Sequence, residues 1–75
     1  MSNKANTIIA TGNGPLVKYV LTHNRDAKQR CIPVFTADLD KAKRFYTEVE
    51  AINYYTAFPK DGKVYRTELY KPEYA

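Results

Sequence analysis

The longest regular pattern of apolar positions lies in residues 36–52, TADLDKAKRFYTEVEAI. Its apolar side chains recur every three or four residues, which is the spacing of one face of an α-helix. At about 100° per residue they span an arc of roughly 140°, wide enough to pack on a sheet. Thr36 or Asp38 can cap the amino end by accepting an unpaired backbone N–H. The pattern predicts a helix whose buried face is formed by Leu39, Ala42, Phe45, Tyr46, Val49 and Ile52.

Shorter stretches rich in β-branched and aromatic residues predict strands. Asp61 and Gly62 separate the last two stretches, and Asp-Gly is typical of β-hairpin turns. A further apolar stretch at residues 7–10 is either a flexible lead-in or an extra edge strand, and the glycines and proline of residues 12–15 mark a turn after it. The four predicted strands are residues 16–22, 30–37, 53–58 and 63–70.

Together these elements predict an α+β fold. It is a small antiparallel-rich sheet of four strands, or five if residues 7–10 join it, in the order β-β-α-β-β, with one helix packed on one face. Pro33 cannot donate a hydrogen bond to a neighbouring strand, so we expect the strand at 30–37 to lie at an edge. The strand at 16–22 is then central, with 53–58 beside it and 63–70 at the other edge.

Composition limits the chain to one small domain. Its 75 residues, 44% hydrophobic, predict a single domain over residues 1–75, with residues 1–15 as a flexible lead-in or an extra edge strand and residues 71–75 as a frayed tail. Cys31 is the only cysteine, which excludes an internal disulfide and fits a reducing compartment such as the cytoplasm. The amino terminus lacks a signal-peptide pattern. No stretch approaches the roughly 20 apolar residues that span a bilayer, so we expect no membrane partner.

Residues suited to catalysis or metal binding are sparse. His23 is the only histidine, and it lies in a different predicted element from Cys31, so neither a catalytic triad nor a Cys-His pair is indicated. Asp40, Arg44 and Glu48 have the spacing of ion pairs on the outer face of the predicted helix, and they form a secondary candidate surface. We therefore expect a protein that is not an enzyme and that needs no cofactor or metal.

The candidate functional surface is the sheet face that a single helix leaves uncovered. Alternation of side chains predicts an open face that carries more apolar and aromatic groups than a soluble monomer usually exposes. Its expected members are Leu16, Lys18, Val20, Tyr54 or Tyr55, Val64 or Tyr65, and Arg66 or Thr67.

The carboxy-terminal third interleaves tyrosines with lysines and an arginine, and the chain carries a net charge of +4. Tyrosine and arginine are enriched at protein interfaces, whereas tyrosines that stack on bases, with cations on phosphates, bind single-stranded nucleic acid. We predict a binding protein that docks on a larger protein or nucleoprotein complex through its open face and carboxy-terminal hairpin. The alternatives are a basic nucleic-acid-binding module and a homodimer. The predicted contacts are Tyr54, Lys60, Lys63, Tyr65, Arg66 and Tyr70.

In its small size, its tyrosine content and its lack of a catalytic motif, the chain resembles the inhibitors and modulators that phages direct against host machinery, anti-CRISPR proteins among them. The resemblance is one of size and composition and covers no specific residues. It implies that the bound complex is inhibited or modulated.

Overall fold

The computed structural model describes residues 5–70; the predicted tail at 71–75 lies outside this range. The described chain forms four strands, one α-helix and two 3-10 turns, Gly14–Leu16 and Leu39–Lys41. The strands and the helix are β1 (Thr7–Thr11), β2 (Lys18–Arg25), β3 (Cys31–Thr36), α1 (Glu48–Tyr55) and β4 (Tyr65–Leu69). The strands form one antiparallel sheet in the order β3-β2-β1-β4. No helix within residues 5–70 has the length and apolar character needed to cross a bilayer.

The predicted α+β class, with four antiparallel strands and one helix packed against them, is confirmed. The edge position of the strand that contains Pro33 is also confirmed. The predicted order of elements is wrong, because the chain runs β-β-β-α-β. Residues 7–10 form a central strand instead of an edge strand, and they take the place expected for 53–58. This central strand is apolar at consecutive positions because both of its faces are buried.

The predicted helix over residues 36–52 begins much later, at Glu48. Thr47 is its cap: the Thr47 hydroxyl accepts the backbone N–H of Glu50 at 3.1 Å, and the Glu50 carboxylate accepts the N–H of Tyr46 at 3.1 Å. This reciprocal arrangement resembles a capping box and fixes the start of α1. Asp38 caps the 3-10 turn at Leu39–Lys41 by accepting the N–H of Asp40.

Between that turn and α1 the chain is held extended by the sheet. The backbone N–H of Lys43 donates to the carbonyl of Val20 at 2.8 Å, and Phe45 exchanges two hydrogen bonds with Thr7. Phe45 thereby enters the core with Ile9, Val20, Ala51 and Phe58. Val20 was expected on the open face, and its place in the core corrects that expectation.

The carboxy-terminal hairpin predicted around Asp61 and Gly62 is absent from the described chain. Residues 53–55 complete α1, and the loop 56–64 then leads from the helix back to β4. Tyr54 and Tyr55 therefore lie on the helix, where both pack against the core, and not on a strand. The helix continues through two tyrosines of high β-propensity because packing on the core outweighs local preference.

The sheet face opposite the helix is not open over its centre. Ile8 and Ala10 alternate with the core residue Ile9, so they point to this second face, yet they are only 1% and 0% exposed. The hydroxyl of Tyr70, which continues β4, donates to Asp40 at 2.7 Å. The segment that follows β3 thus contacts the end of β4 on this face, and the burial of Ile8 and Ala10 corrects the expectation of a wholly uncovered surface.

Candidate binding cleft

A cleft of about 550 Å³ lies between the carboxy-terminal end of α1 and the start of β4. The loop 56–64 forms one wall and is held by Phe58, whose ring is buried in the core. Gly62 has φ of 91°, a conformation that favours glycine, and this allows the loop to turn back towards β4. The cleft is lined by Tyr55, Thr56, Phe58, Pro59, Lys60, Gly62, Lys63, Val64 and Tyr65.

Aromatic rings gathered around Tyr65 form the floor of this cleft. The Tyr65 ring lies nearly parallel to Tyr55, with centroids 5.6 Å apart, and to Phe35, with centroids 6.3 Å apart. Phe58 meets the Tyr65 ring edge-on at 5.5 Å. Burial in this cluster raises the pKa of Tyr65, and the Asp61 carboxylate adds to the effect. The phenol therefore remains neutral at physiological pH and offers a hydrogen-bonding group inside an apolar floor.

The rim of the cleft is positively charged. Lys63 pairs with Asp61 at 3.2 Å, and its backbone N–H also donates to that carboxylate. These hydrogen bonds hold the pKa of Asp61 below its usual value. Within residues 5–70 no ion pair engages Lys60. The rim thus keeps a net positive charge, because Asp61 neutralises only one of its two lysines.

A second hollow of about 300 Å³ adjoins the cleft and shares Lys63 with it. Lys18 lies in its wall, and like Lys60 it has no ion-pair partner within the described part of the chain. Leu16, which also lines this hollow, and Val64 in the cleft are both largely exposed. Within the described residues, the cleft and the adjoining hollow are therefore both lined by exposed apolar side chains and by a lysine without an ion-pair partner. The remaining lining residues of the hollow are Thr11, Gly12 and Phe35.

Three of the six predicted contact residues line this cleft, namely Lys60, Lys63 and Tyr65. Tyr54 lies elsewhere. Its hydroxyl and His23 Nδ1 are 2.6 Å apart, and its ring packs against Phe45 and Phe58. Burial raises the pKa of Tyr54. Tyr54 and His23 thus connect α1 to β2 inside the domain.

Arg66 and Tyr70 belong to the second face. Arg66 Nε contacts the Glu68 carboxylate at 2.6 Å, and its guanidinium also donates to the carbonyl of Gly12 at 2.8 Å. The guanidinium of Arg44 lies 3.9 Å from the centroid of the Tyr70 ring. The six residues are therefore not brought into one surface, because β4 alternates between faces.

Sequence reasoning missed the aromatic residues that complete the cleft. The sequence pattern offers Tyr55 only as one of two alternatives for the open face, and it places Phe35 and Phe58 only in strands. The only local signal was the pair Phe58 and Pro59 followed by Gly62, which marks an anchored turn. Phe35 lines the adjoining hollow and packs on Tyr65 although β3 and β4 lie at opposite edges of the sheet, a contact that no local pattern reveals.

Comparison of the chain with protein-family models, with curated proteins and with solved structures gives no match.

Proposed function

We propose that this chain is a non-enzymatic binding protein that docks on a larger protein or nucleoprotein complex and inhibits or modulates it. The observation that carries the proposal is the aromatic cleft between α1 and β4, open to solvent and edged by Lys60 and Lys63. Concave apolar sites with a few polar groups are the usual form of recognition pockets. We further propose that the protein acts in the cytoplasm, in keeping with its unpaired Cys31.

The lining of the cleft indicates what its partner supplies. A volume of about 550 Å³ is large enough for an apolar anchor, which would pack against Tyr55, Phe58 and Tyr65. Acidic groups beside that anchor would meet Lys60 and Lys63 at the rim, which favours encounter with a negatively charged partner. Val64, 78% exposed at the mouth, adds apolar area that a bound partner would remove from water.

Capture of the partner from a host lysate tests this proposal, with and without nuclease and with identification by mass spectrometry. Val64→Asp places a charge at the mouth of the cleft without disturbing the core, because Val64 is 78% exposed. Val49→Asp is the matched control, since this valine is 65% exposed on α1 and does not line the cleft. We expect Val64→Asp and Lys60→Glu to abolish capture and Val49→Asp to retain it. Equal capture by all variants would refute the assignment of the cleft.

A nucleic-acid-binding module is the second candidate, and the lysines beside Tyr55 and Tyr65 favour it. Against it, these rings already lie nearly parallel to one another, which leaves fewer faces on which bases could stack. Titration of a short fluorescent single-stranded oligonucleotide at two salt concentrations separates the classes. Affinity that falls steeply with salt would support this candidate, and no binding at low salt would exclude it.

A further inference from the structure

The two edges of the sheet differ in their capacity to pair with another strand. Pro33 lies in the middle of β3, and a proline deprives an edge of one hydrogen-bond donor. β4, at the opposite edge, has no proline in its five residues. Exposed strand edges present unpaired backbone groups, and natural proteins commonly block them with proline. Only the β3 edge of this sheet carries that protection.

Hydrogen bonds between β4 and its neighbours show which backbone groups face outwards. The N–H of Tyr70 donates to the carbonyl of Asn6, and the carbonyl of Val64 accepts from the Thr11 hydroxyl. The even-numbered residues therefore direct their backbone groups towards β1. The alternate residues turn their N–H and C=O away from the sheet, and no described residue bonds to these groups. They are Tyr65, Thr67 and Leu69.

We propose that β4 pairs antiparallel with β4 of a second copy of this chain, about a two-fold axis at Thr67. In this register Thr67 lies opposite Thr67 of the second copy, and Tyr65 lies opposite Leu69. The residues whose backbone groups face outwards then meet one another, so each of these pairs exchanges two hydrogen bonds. The result is one continuous sheet that runs through both copies, an isologous interface.

The side chains of β4 are complementary in this register. Arg66 lies directly opposite Glu68 of the second copy, and the two-fold axis repeats the pair. Both side chains are half-exposed, so they can reach across the edge. Leu69, which is 63% exposed, packs against Tyr65 of the second copy and extends the apolar rim of the cleft.

Charge also selects this register over its neighbours. Only slips of two residues keep the outward-facing backbone groups paired. One such slip places Arg66 opposite Arg66, and the other places Glu68 opposite Glu68. Like charges directly opposite each other destabilise a strand pair. The register about Thr67 is the one in which every charged side chain of β4 faces its opposite.

Charge exchange tests the pairing, with mass followed by light scattering and sedimentation over a wide range of concentration. We expect the wild type to dimerise and Arg66→Glu or Glu68→Arg alone to raise the dimer dissociation constant by roughly ten- to a hundredfold, because two attractive pairs become repulsive. An equimolar mixture of the two single variants should recover the dimer, since each pair is again opposite in charge. The double variant Arg66→Glu with Glu68→Arg should dimerise by itself.

A backbone variant gives an independent measurement. Thr67→Pro removes an outward-facing N–H that no described residue uses, so we expect it to yield a monomer. Thr67→Val is the matched control, because it also loses the hydrogen bond from the Thr67 hydroxyl to Glu48 but keeps the N–H. A wild type that stays monomeric, or a dimer that tolerates both charge reversals and the proline, would overturn the proposal. The test is separate from partner capture, since Lys60→Glu, in the loop and outside β4, should leave the dimer intact.

Discussion

Replacement of Phe58 by alanine tests whether the loop 56–64 is anchored as described. The Phe58 ring is 5% exposed and meets Tyr54 and Tyr65 edge-on, each at a centroid distance of 5.5 Å. Its removal leaves a cavity beneath the cleft and breaks both aromatic contacts. The substitution therefore acts on the core and on the cleft together.

The expected loss of stability follows from these contacts. Truncation of a buried phenylalanine to alanine costs about 3–5 kcal/mol, and two aromatic pairs account for about 1–3 kcal/mol of that. A domain of 75 residues has a free energy of unfolding of about 4–11 kcal/mol. Phe58→Ala should thus remove a large share of the stability and lower Tm by more than about 12 °C.

Urea and thermal unfolding followed by circular dichroism measure this effect. Phe58→Leu keeps most of the apolar volume and should lose much less stability than the alanine variant. Val64→Ala is the surface control, because Val64 is largely exposed in the same loop, and it should change stability by less than about 0.5 kcal/mol. A loss below about 1 kcal/mol for Phe58→Ala would show that the loop is not anchored in the core.

Two further predictions concern local hydrogen bonds. Thr47→Ala removes the cap of α1 and should cost about 1 kcal/mol in urea titrations, whereas Thr47→Asp, which can still accept the N–H of Glu50, should lose little. The backbone N–H of Arg30 is the main cause that lowers the pKa of Asp26 below 3.8; desolvation opposes it, and the Arg30 side chain and the N–H of Lys28 add to it. The stability from this group is therefore present above pH 3.8 and is lost as pH falls through the lower, folded value. Thermal unfolding between about pH 2 and pH 6 should show a weaker pH dependence for Asp26→Asn than for the wild type, and identical profiles would contradict the assignment.

The sheet could largely be predicted from the chain, but the helix could not. Pro33 marked an edge strand because its effect is local and does not depend on the rest of the fold. The apolar spacing through Phe45 suggested a helix, yet the hydrogen bonds that Phe45 makes with Thr7 hold that segment extended. The capping pair of Thr47 and Glu50 was present in the sequence and marks the observed start of α1.

The candidate site, too, could be predicted only in part from the sequence. Lys60, Lys63 and Tyr65 are close in sequence, so one loop brings them together whatever the rest of the fold. The sequence pattern predicts a strand at Tyr54, but its place on α1 turns its side chain towards His23. Phe35 reaches the Tyr65 ring only through long-range packing, because β3 and β4 lie at opposite edges of the sheet.

The pairing of β1 with β4 has a consequence for synthesis of the protein. Thr7, near the amino end, pairs with Leu69, and the partner strand is the last element of the described chain. The β2–β3 hairpin can form as it leaves the ribosome. β1, however, cannot pair along its second edge until residues 65–69 have been synthesised. Such non-local pairing slows folding and exposes apolar strands in the meantime. We therefore expect nascent chains arrested before residue 65 to recruit chaperones and to resist proteolysis poorly.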